Sequence, residues 1–331
     1  MAYLLIVIGT IIYVSIVLDI LKTTLSMQGG GWLTSNFSHL FWKLMLKLSG
    51  RNGKSKLLAR AGFYLLILII LIWVSSLALS LFLLLQSDID SVVNSAKIPA
   101  SALEKLYYSG YILSTLGIGD FTPSNNLWRI ITDLYSFTGL ILITMSVTYF
   151  IPVLSAIIKQ RKLGINLSSL GNSPQEIILN AWNGIDYDFF KLQLLTLSDA
   201  LLEHNQNHRA YPVIHFFHNN DKEHSVVLQI ARLHEAICIL EKCLSPECSI
   251  PKQEISSIKT ALNNYINVVR EVSNINFINS SPITPDLNML KEKNMLRSNL
   301  NGFDFSETVQ EDRQFFLTLV VNDGWEWKDV F

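Results

Sequence analysis

Six consecutive residues, Thr115-Leu116-Gly117-Ile118-Gly119-Asp120, carry the most informative spacing in this 331-residue chain. Glycines at alternate positions admit left-handed backbone that other residues resist. Backbone that alternates in handedness turns successive carbonyls to the same side. A row of such oxygens, with the Thr115 hydroxyl at one end, is a set of neutral ligands able to replace the water around a dehydrated monovalent cation. Glycine pairs occur in many turns, so the force of the motif comes from what flanks it. Residues 101–114 have helical character but are too few to cross a bilayer. Irregular backbone at membrane depth is tolerated only where it is buried in protein or lines water.

The elements needed to position that segment are visible on either side. Three stretches, roughly 2–21, 61–86 and 130–158, are apolar over about 20 helical residues, enough to cross a hydrocarbon core. Helices satisfy every backbone amide internally, which lipid demands. Hydrophobic residues make up 50% of the chain and charged ones 16%, a mixture that fits an apolar first half joined to a soluble second half. Between the first two spans lie Lys22, Lys43, Lys47, Arg51, Lys54, Lys56 and Arg60, with no acid among them. The next loop sets Asp88, Asp90, Glu104 and Asp120 against Lys97, Lys105 and Arg129, and Lys159, Arg161 and Lys162 follow the third span. Positive residues stay inside, so the expected topology has the N-terminus outside and residues 159–331 in the cytoplasm, in the plasma membrane. The apolar N-terminus lacks a basic leader and a small-residue cleavage site, and reads as a retained anchor.

Membrane helix, short re-entrant helix, Thr-Leu-Gly-Ile-Gly-Asp and a further membrane helix resemble the pore-loop potassium channels over residues 61–158. The resemblance implies that Thr115, Leu116, Gly117 and Ile118 offer their carbonyls to potassium as a selectivity filter, closed by Gly119 and Asp120. One such strand cannot surround an ion, so the chain is expected to assemble as a homotetramer. The family's most familiar signature has valine at position 116 and tyrosine at 118. Second-pore filters of the animal two-pore-domain channels tolerate aliphatic residues there. That tyrosine bonds to pore-helix aromatics, whose matching positions are Tyr107 and Tyr108, so Ile118 implies a looser outer filter and weaker rejection of sodium. A second resemblance covers more of the chain. The extra N-terminal span with Asp19-Ile20-Leu21-Lys22-Thr23-Thr24, the basic loop, and His208-Arg209-Ala210-Tyr211-Pro212-Val213 look like a bacterial group of ion-channel proteins with a helical cytoplasmic region. The division expected is therefore 1–60 (membrane helix and interfacial helix), 61–158 (pore domain) and 159–331 (α-helical cytoplasmic domain), an all-α membrane protein.

The third span should line a cavity below the filter. Leu140, Ile143, Thr144, Val147 and Thr148 share one helical face, and the two hydroxyls would keep it wet. Gly139 stands where related channels place a hinge, though glycine also permits close helix packing in membranes. Pro152 should kink the helix where a gate could lie. Asp19 reads as interfacial, with Lys22 one turn away, and Asp133 as a partner behind the filter. Residues 34–48 form an amphipathic pattern with Phe37, Phe41, Leu44 and Leu48 at helical spacing, between Trp32 and Gly50. This helix is expected on the inner leaflet, the alternative being packing on the soluble domain. Beyond residue 160 the pattern is helical, with Ser173-Pro174-Gln175-Glu176 as a capping box and helices near 186–204, 223–244, 252–272, 284–298 and 306–321.

Other chemistry is not evident. A net charge of -1 without an aromatic-rich basic patch gives no sign of nucleic-acid binding. No Ser/His/Asp, Walker or metallohydrolase arrangement is present, so an enzyme and a resident cofactor are not expected. No Gly-x-Gly-x-x-Gly follows a strand, which argues against a dinucleotide-binding regulatory domain. Cys238, Cys243 and Cys248 are spaced too widely for paired metal ligation, and their odd number fits a reducing compartment. His204, His208, His215, His218, His224 and His234 crowd one region beside Glu203 and Asp221, in no compact metal pattern. Core and surface histidines are the expectation there, with metal binding or pH sensing the alternative. The whole reads as a potassium channel in the lipid bilayer, its cytoplasmic ligand unidentified. A weakly selective cation channel and a non-conducting sensor or scaffold are the rivals.

Overall fold

Uncharged runs of leucine and isoleucine have one economical way to satisfy their amides, and the computed structural model uses it almost throughout. It describes residues 1–26, 29–273, 277–278, 280–298 and 307–331. In chain order the elements are α1 (Ala2–Leu25), α2 (Trp32–Leu48), α3 (Lys56–Gln86), β1 (Val92–Asn94), α4 (Ala102–Leu113), β2 (Phe121–Pro123) and α5 (Asn126–Ser168). There follow α6 (Pro174–Ala181), α7 (Asp188–Ala210), α8 (Val226–Lys242), α9 (Ser256–Val272), α10 (Asn288–Glu292) and α11 (Glu307–Asn322). Short 3-10 turns cover Pro212–Phe216, Lys222–His224, Pro246–Cys248 and Trp327–Val330.

The chain forms two compact units, each discontinuous in sequence: Met1–Phe37 with Tyr64–Val153, and Ser38–Phe63 with Leu154–Phe331. Helices α2, α3 and α5 each contribute to both.

Among the described residues α1, α3 and α5, whose apolar stretches lie mainly in the first unit, are long and apolar enough to cross a membrane. Only 22%, 39% and 28% of their most apolar windows are buried, so most of that apolar surface faces outward, an arrangement suited to lipid. What they bury is narrow. Leu65, Ile69, Trp73, Leu77, Leu81 and Leu85 form a stripe along α3 at intervals of four. Ser80 sits beside it and bonds both the Gly9 carbonyl of α1 at 2.7 Å and the Tyr135 hydroxyl of α5 at 2.5 Å. Tyr13 and Thr138 add a hydroxyl pair at 2.8 Å. A helix of 43 residues such as α5 spans about 65 Å, well beyond a hydrocarbon core. It continues through Pro152.

In the second unit α8 is the central rod, buried on all sides from Val226 to Leu240. Around it α6, α7, α9 and α11 contribute the remaining apolar core. Two arginines organise its polar interior. Arg313 bonds Glu235 at 2.7 Å with neither side chain exposed, and Arg232 reaches the Val330 and Asp329 carbonyls at 3.0 Å each.

Two expectations change. The helix expected near 284–298 shrinks to α10, because Asn294 adopts φ 55° and Leu296 then pairs with Leu244 across an antiparallel bridge. The start of the helix expected at 306 lies outside the described residues, and its remainder is α11. The inner-leaflet helix, α2, also needs amending. Its Trp42 indole donates to the Asn322 carbonyl at 3.0 Å and packs on Phe216, so one face lies on the C-terminal helices. Leu40, Leu44 and Leu48 on its other side remain exposed.

Candidate functional site

Helix α4 starts with a capping box built from its own sequence: the Ser101 amide donates to Glu104 Oε2 at 2.7 Å and the Glu104 amide to Ser101 Oγ at 3.4 Å. It ends where the Thr115 amide bonds the Ile112 carbonyl at 3.0 Å and the Leu116 amide bonds that of Tyr111 at 3.1 Å. Beyond that point the backbone alternates. Thr115, Gly117 and Gly119 have φ of 57°, 57° and 84°, with Leu116 and Ile118 between them on the ordinary side. No described residue donates to the carbonyls of Thr115, Leu116, Gly117 or Ile118. The whole run from Ser114 to Asp120 is exposed, Leu116 to 65% and Ile118 to 51%. The backbone here is at once irregular, exposed and without a hydrogen-bond donor among the described residues.

The support behind this strand adds Tyr111 and Thr132 to the two α4 aromatics, Tyr107 and Tyr108, that the sequence pointed to. Tyr111, on the inner side of α4, donates its hydroxyl to the Phe121 carbonyl at 2.8 Å, bridging the helix to the far end of the segment. Tyr108 pairs with Thr132 at 2.9 Å, and the rings of Tyr107 and Tyr108 each meet Tyr111 at 5.1 Å. The outer end is pinned by β2, whose Phe121 and Pro123 pair with Asn94 and Val92 of β1. Lys105 is buried, and its ammonium binds the carbonyls of Leu85, Asp88 and Ile89 at 2.9, 2.7 and 3.2 Å, capping the end of α3. Asp88 in turn accepts from the Trp128 indole at 2.8 Å. Asp133, expected behind the segment, is exposed and bonds no described residue; its neighbour Thr132 takes that place because it lies on the face of α5 toward α4.

Along α5 the expected face is bare: Leu140, Ile143 and Val147 are about half exposed. Thr144 and Thr148 donate to the carbonyls of Leu140 and Thr144 at 3.0 and 2.9 Å. Their protons are thus spent on the helix, and their oxygens remain as acceptors on the open face. Gly139 lies on a different side, where a Cβ would collide with the Leu113 carbonyl at the end of α4. Its smallness lets α5 approach the re-entrant helix. Pro152 sits inside the continuous helix and removes one amide from the ladder below Thr148.

Asp19 is a further structural anchor. It is buried, and its carboxylate accepts from the Leu33 and Thr34 amides at 2.8 and 3.2 Å, the Thr34 hydroxyl at 2.5 Å and the Trp73 indole at 3.1 Å. It caps α2 from the side of α1, and Gly31 is obligatory because any Cβ there would strike Asp19.

In the second unit the buried His204 and His208 and the partly buried His215 form a file, with rings 5.6 and 5.3 Å apart. Burial, helped by repulsion from neighbouring histidines (His39 in the case of His215), pushes His204 and His215 down to about 4 and His208 well below 6.5. His234 contacts Cys238 at 3.8 Å and is pushed down to about 3 by burial. All three cysteines are free thiols. Among the described residues no three His, Cys, Asp or Glu side chains are arranged to hold a metal ion.

Two apolar helices flanking a short re-entrant helix and an unpaired, alternating strand define the pore architecture of an ion channel. Residues 64–156 match the family model described as "Ion channel". Over 326 residues the chain is 32% identical to the uncharacterized membrane protein YdjJ of Bacillus subtilis (strain 168), covering 97% of this chain and 94% of that protein. The chain therefore belongs to the same membrane-protein family as YdjJ, with an ion-channel domain over residues 64–156. No solved structure matches it.

Proposed function

We propose that four copies of this chain form a potassium channel in the plasma membrane, with the N-termini outside and the second unit in the cytoplasm. Residues Thr115 to Asp120 are its selectivity filter. One observation carries the reading: left-handed φ at Thr115, Gly117 and Gly119 leaves four successive carbonyls without a partner in the described chain. Four such strands around one axis supply rings of carbonyls spaced to replace potassium's hydration shell. Ions pass between the filter and the inner solution along the α5 face bearing Thr144 and Thr148. Conduction is passive and asks no bond chemistry of the protein. The basic stretch from Lys22 to Arg60 supports the orientation.

Ile118 favours a second reading, a channel that discriminates weakly between potassium and sodium. Its apolar side chain cannot bond to the α4 aromatics, so the outer filter is held at one remove, through Tyr111 and Phe121. Reversal potentials of purified protein in planar bilayers, with mixed potassium and sodium, separate the two. A potential that tracks the potassium gradient supports selectivity, and one indifferent to it leaves the weakly selective channel. Gly117→Asp places a side chain on left-handed backbone and a charge in the filter. Flux unchanged by that substitution would rule out this path for the ions.

A further inference from the structure

The second unit contains a histidine held unlike the others. His218 is buried, and its two ring nitrogens face two different parts of the chain. Nε2 lies 2.6 Å from the Gly53 carbonyl, in the turn that joins α2 to α3. Nδ1 lies 3.2 Å from Asp323 Oδ2, just beyond α11, an ion pair that falls short of a hydrogen bond. A carbonyl and a carboxylate only accept, so the ring meets both demands only as the imidazolium, with a proton on each nitrogen.

The same joint is closed by contacts that need no proton. The Gly53 amide donates to the Gly324 carbonyl at 2.6 Å. Gly53 has no room for a Cβ against the Trp325 ring, nor Gly62 against Phe217. The segment carrying His218 also rests on the lower part of α5. Gln160 reaches the Phe217 carbonyl at 3.4 Å, and Gly164 packs against the His224 backbone. One stretch of chain, 217–224, therefore touches the start of α3 and the end of α5, two helices long and apolar enough to cross a membrane.

We infer that His218, Gly53 and Asp323 form a proton-dependent latch that ties the α2–α3 turn to the C-terminal segment within the second unit. Asp323 is the charged group facing His218; the other walls are Trp42 of α2 and Trp325. Beyond Asp323 lie the neutral His215 and, on α2, His39 with Lys43 near it. Burial pulls the His218 pKa down, but Asp323 and the Gly53 carbonyl outweigh it and lift it above 6.5. The latch is thus fully closed below the ordinary histidine value and weakens as pH rises through the folded value. Losing the proton leaves the Asp323 carboxylate, only 7% exposed, without its counter-charge.

The test uses the full-length protein in detergent micelles between pH 6 and 9, and neither readout requires ion conduction. Thermal unfolding is followed together with trypsin cleavage after Arg51 and Lys54, normalised to a peptide substrate at each pH. Above about pH 7.5, where the other histidines are neutral whether folded or unfolded, the latch predicts that the melting temperature falls as pH rises. Cleavage should accelerate, by up to about tenfold per pH unit between 6.5 and the folded value and no further beyond it. His218→Gln and the isosteric Asp323→Asn should both flatten these slopes, with the turn cleaved quickly at every pH. A flat wild-type profile overturns the inference, as does either variant that folds and keeps the wild-type slope. If neither variant folds, the wild-type profile alone decides.

Discussion

Thr115 is a β-branched residue on left-handed backbone, at φ 57°, where such side chains are genuine outliers costing about 1–3 kcal/mol. The strain persists because its neighbours hold both ends: the α4 carboxyl end through the Thr115 and Leu116 amides, and the Phe121 carbonyl through Tyr111. Tyr111→Phe removes that second hold and nothing else. At a net worth of about 1 kcal/mol for the hydrogen bond, potassium-over-sodium permeability should fall by roughly fivefold in reversal-potential measurements, with folding retained. Unchanged selectivity would show that the strand is held elsewhere. Gly139→Ala should behave differently, forcing α5 away from the Leu113 carbonyl and lowering stability by about 1–3 kcal/mol in thermal unfolding. The alternating backbone was legible in the sequence because glycine spacing is a local signal. Tyr111 was not, because its partner is set by how the chain returns along β2, which no residue type announces.

At the scale of elements, helix α2 is held at its amino end by a carboxylate from α1. Asp19→Asn keeps the shape but turns one acceptor into a donor facing amides that already donate. A cost of about 1–3 kcal/mol is expected, seen as a lower melting temperature and faster hydrogen exchange at the start of α2. An unaltered exchange rate there would dissolve the anchoring role. The spans, the re-entrant helix and the capped start of α6 were all readable, since hydropathy and caps act within a few residues. The fate of 284–298 was not. Its apolar spacing is helical, yet Asn294 turns left-handed and the chain pairs instead with the segment after α8. Nor could composition reveal that Lys105 caps α3, an interaction that spans twenty residues of sequence.

For the molecule as a whole, proton linkage acts on the second unit from two sides. His204, His208, His215 and His234 are held neutral by burial, with pKa values below 6.5. The unfolded chain takes up protons first, so stability drops as pH falls below 6.5, by about 1.4 kcal/mol per unit for each group until its folded value is reached. His218 acts in the opposite direction and its contribution fades on the alkaline side. Melting temperature against pH should therefore form a dome, and His218→Gln should remove only the alkaline shoulder. A profile that stays level from pH 6.5 to 4.5 would refute the buried neutral histidines.

The channel reading itself depends on where four strands meet. An experimental density map of the assembled protein in potassium tests this most directly. The account predicts a fourfold axis with discrete ion density level with the carbonyls of Thr115 to Ile118, lost or rearranged when sodium replaces potassium. Strands standing apart from any symmetry axis, with their carbonyls in water or lipid and no ion between them, would contradict it.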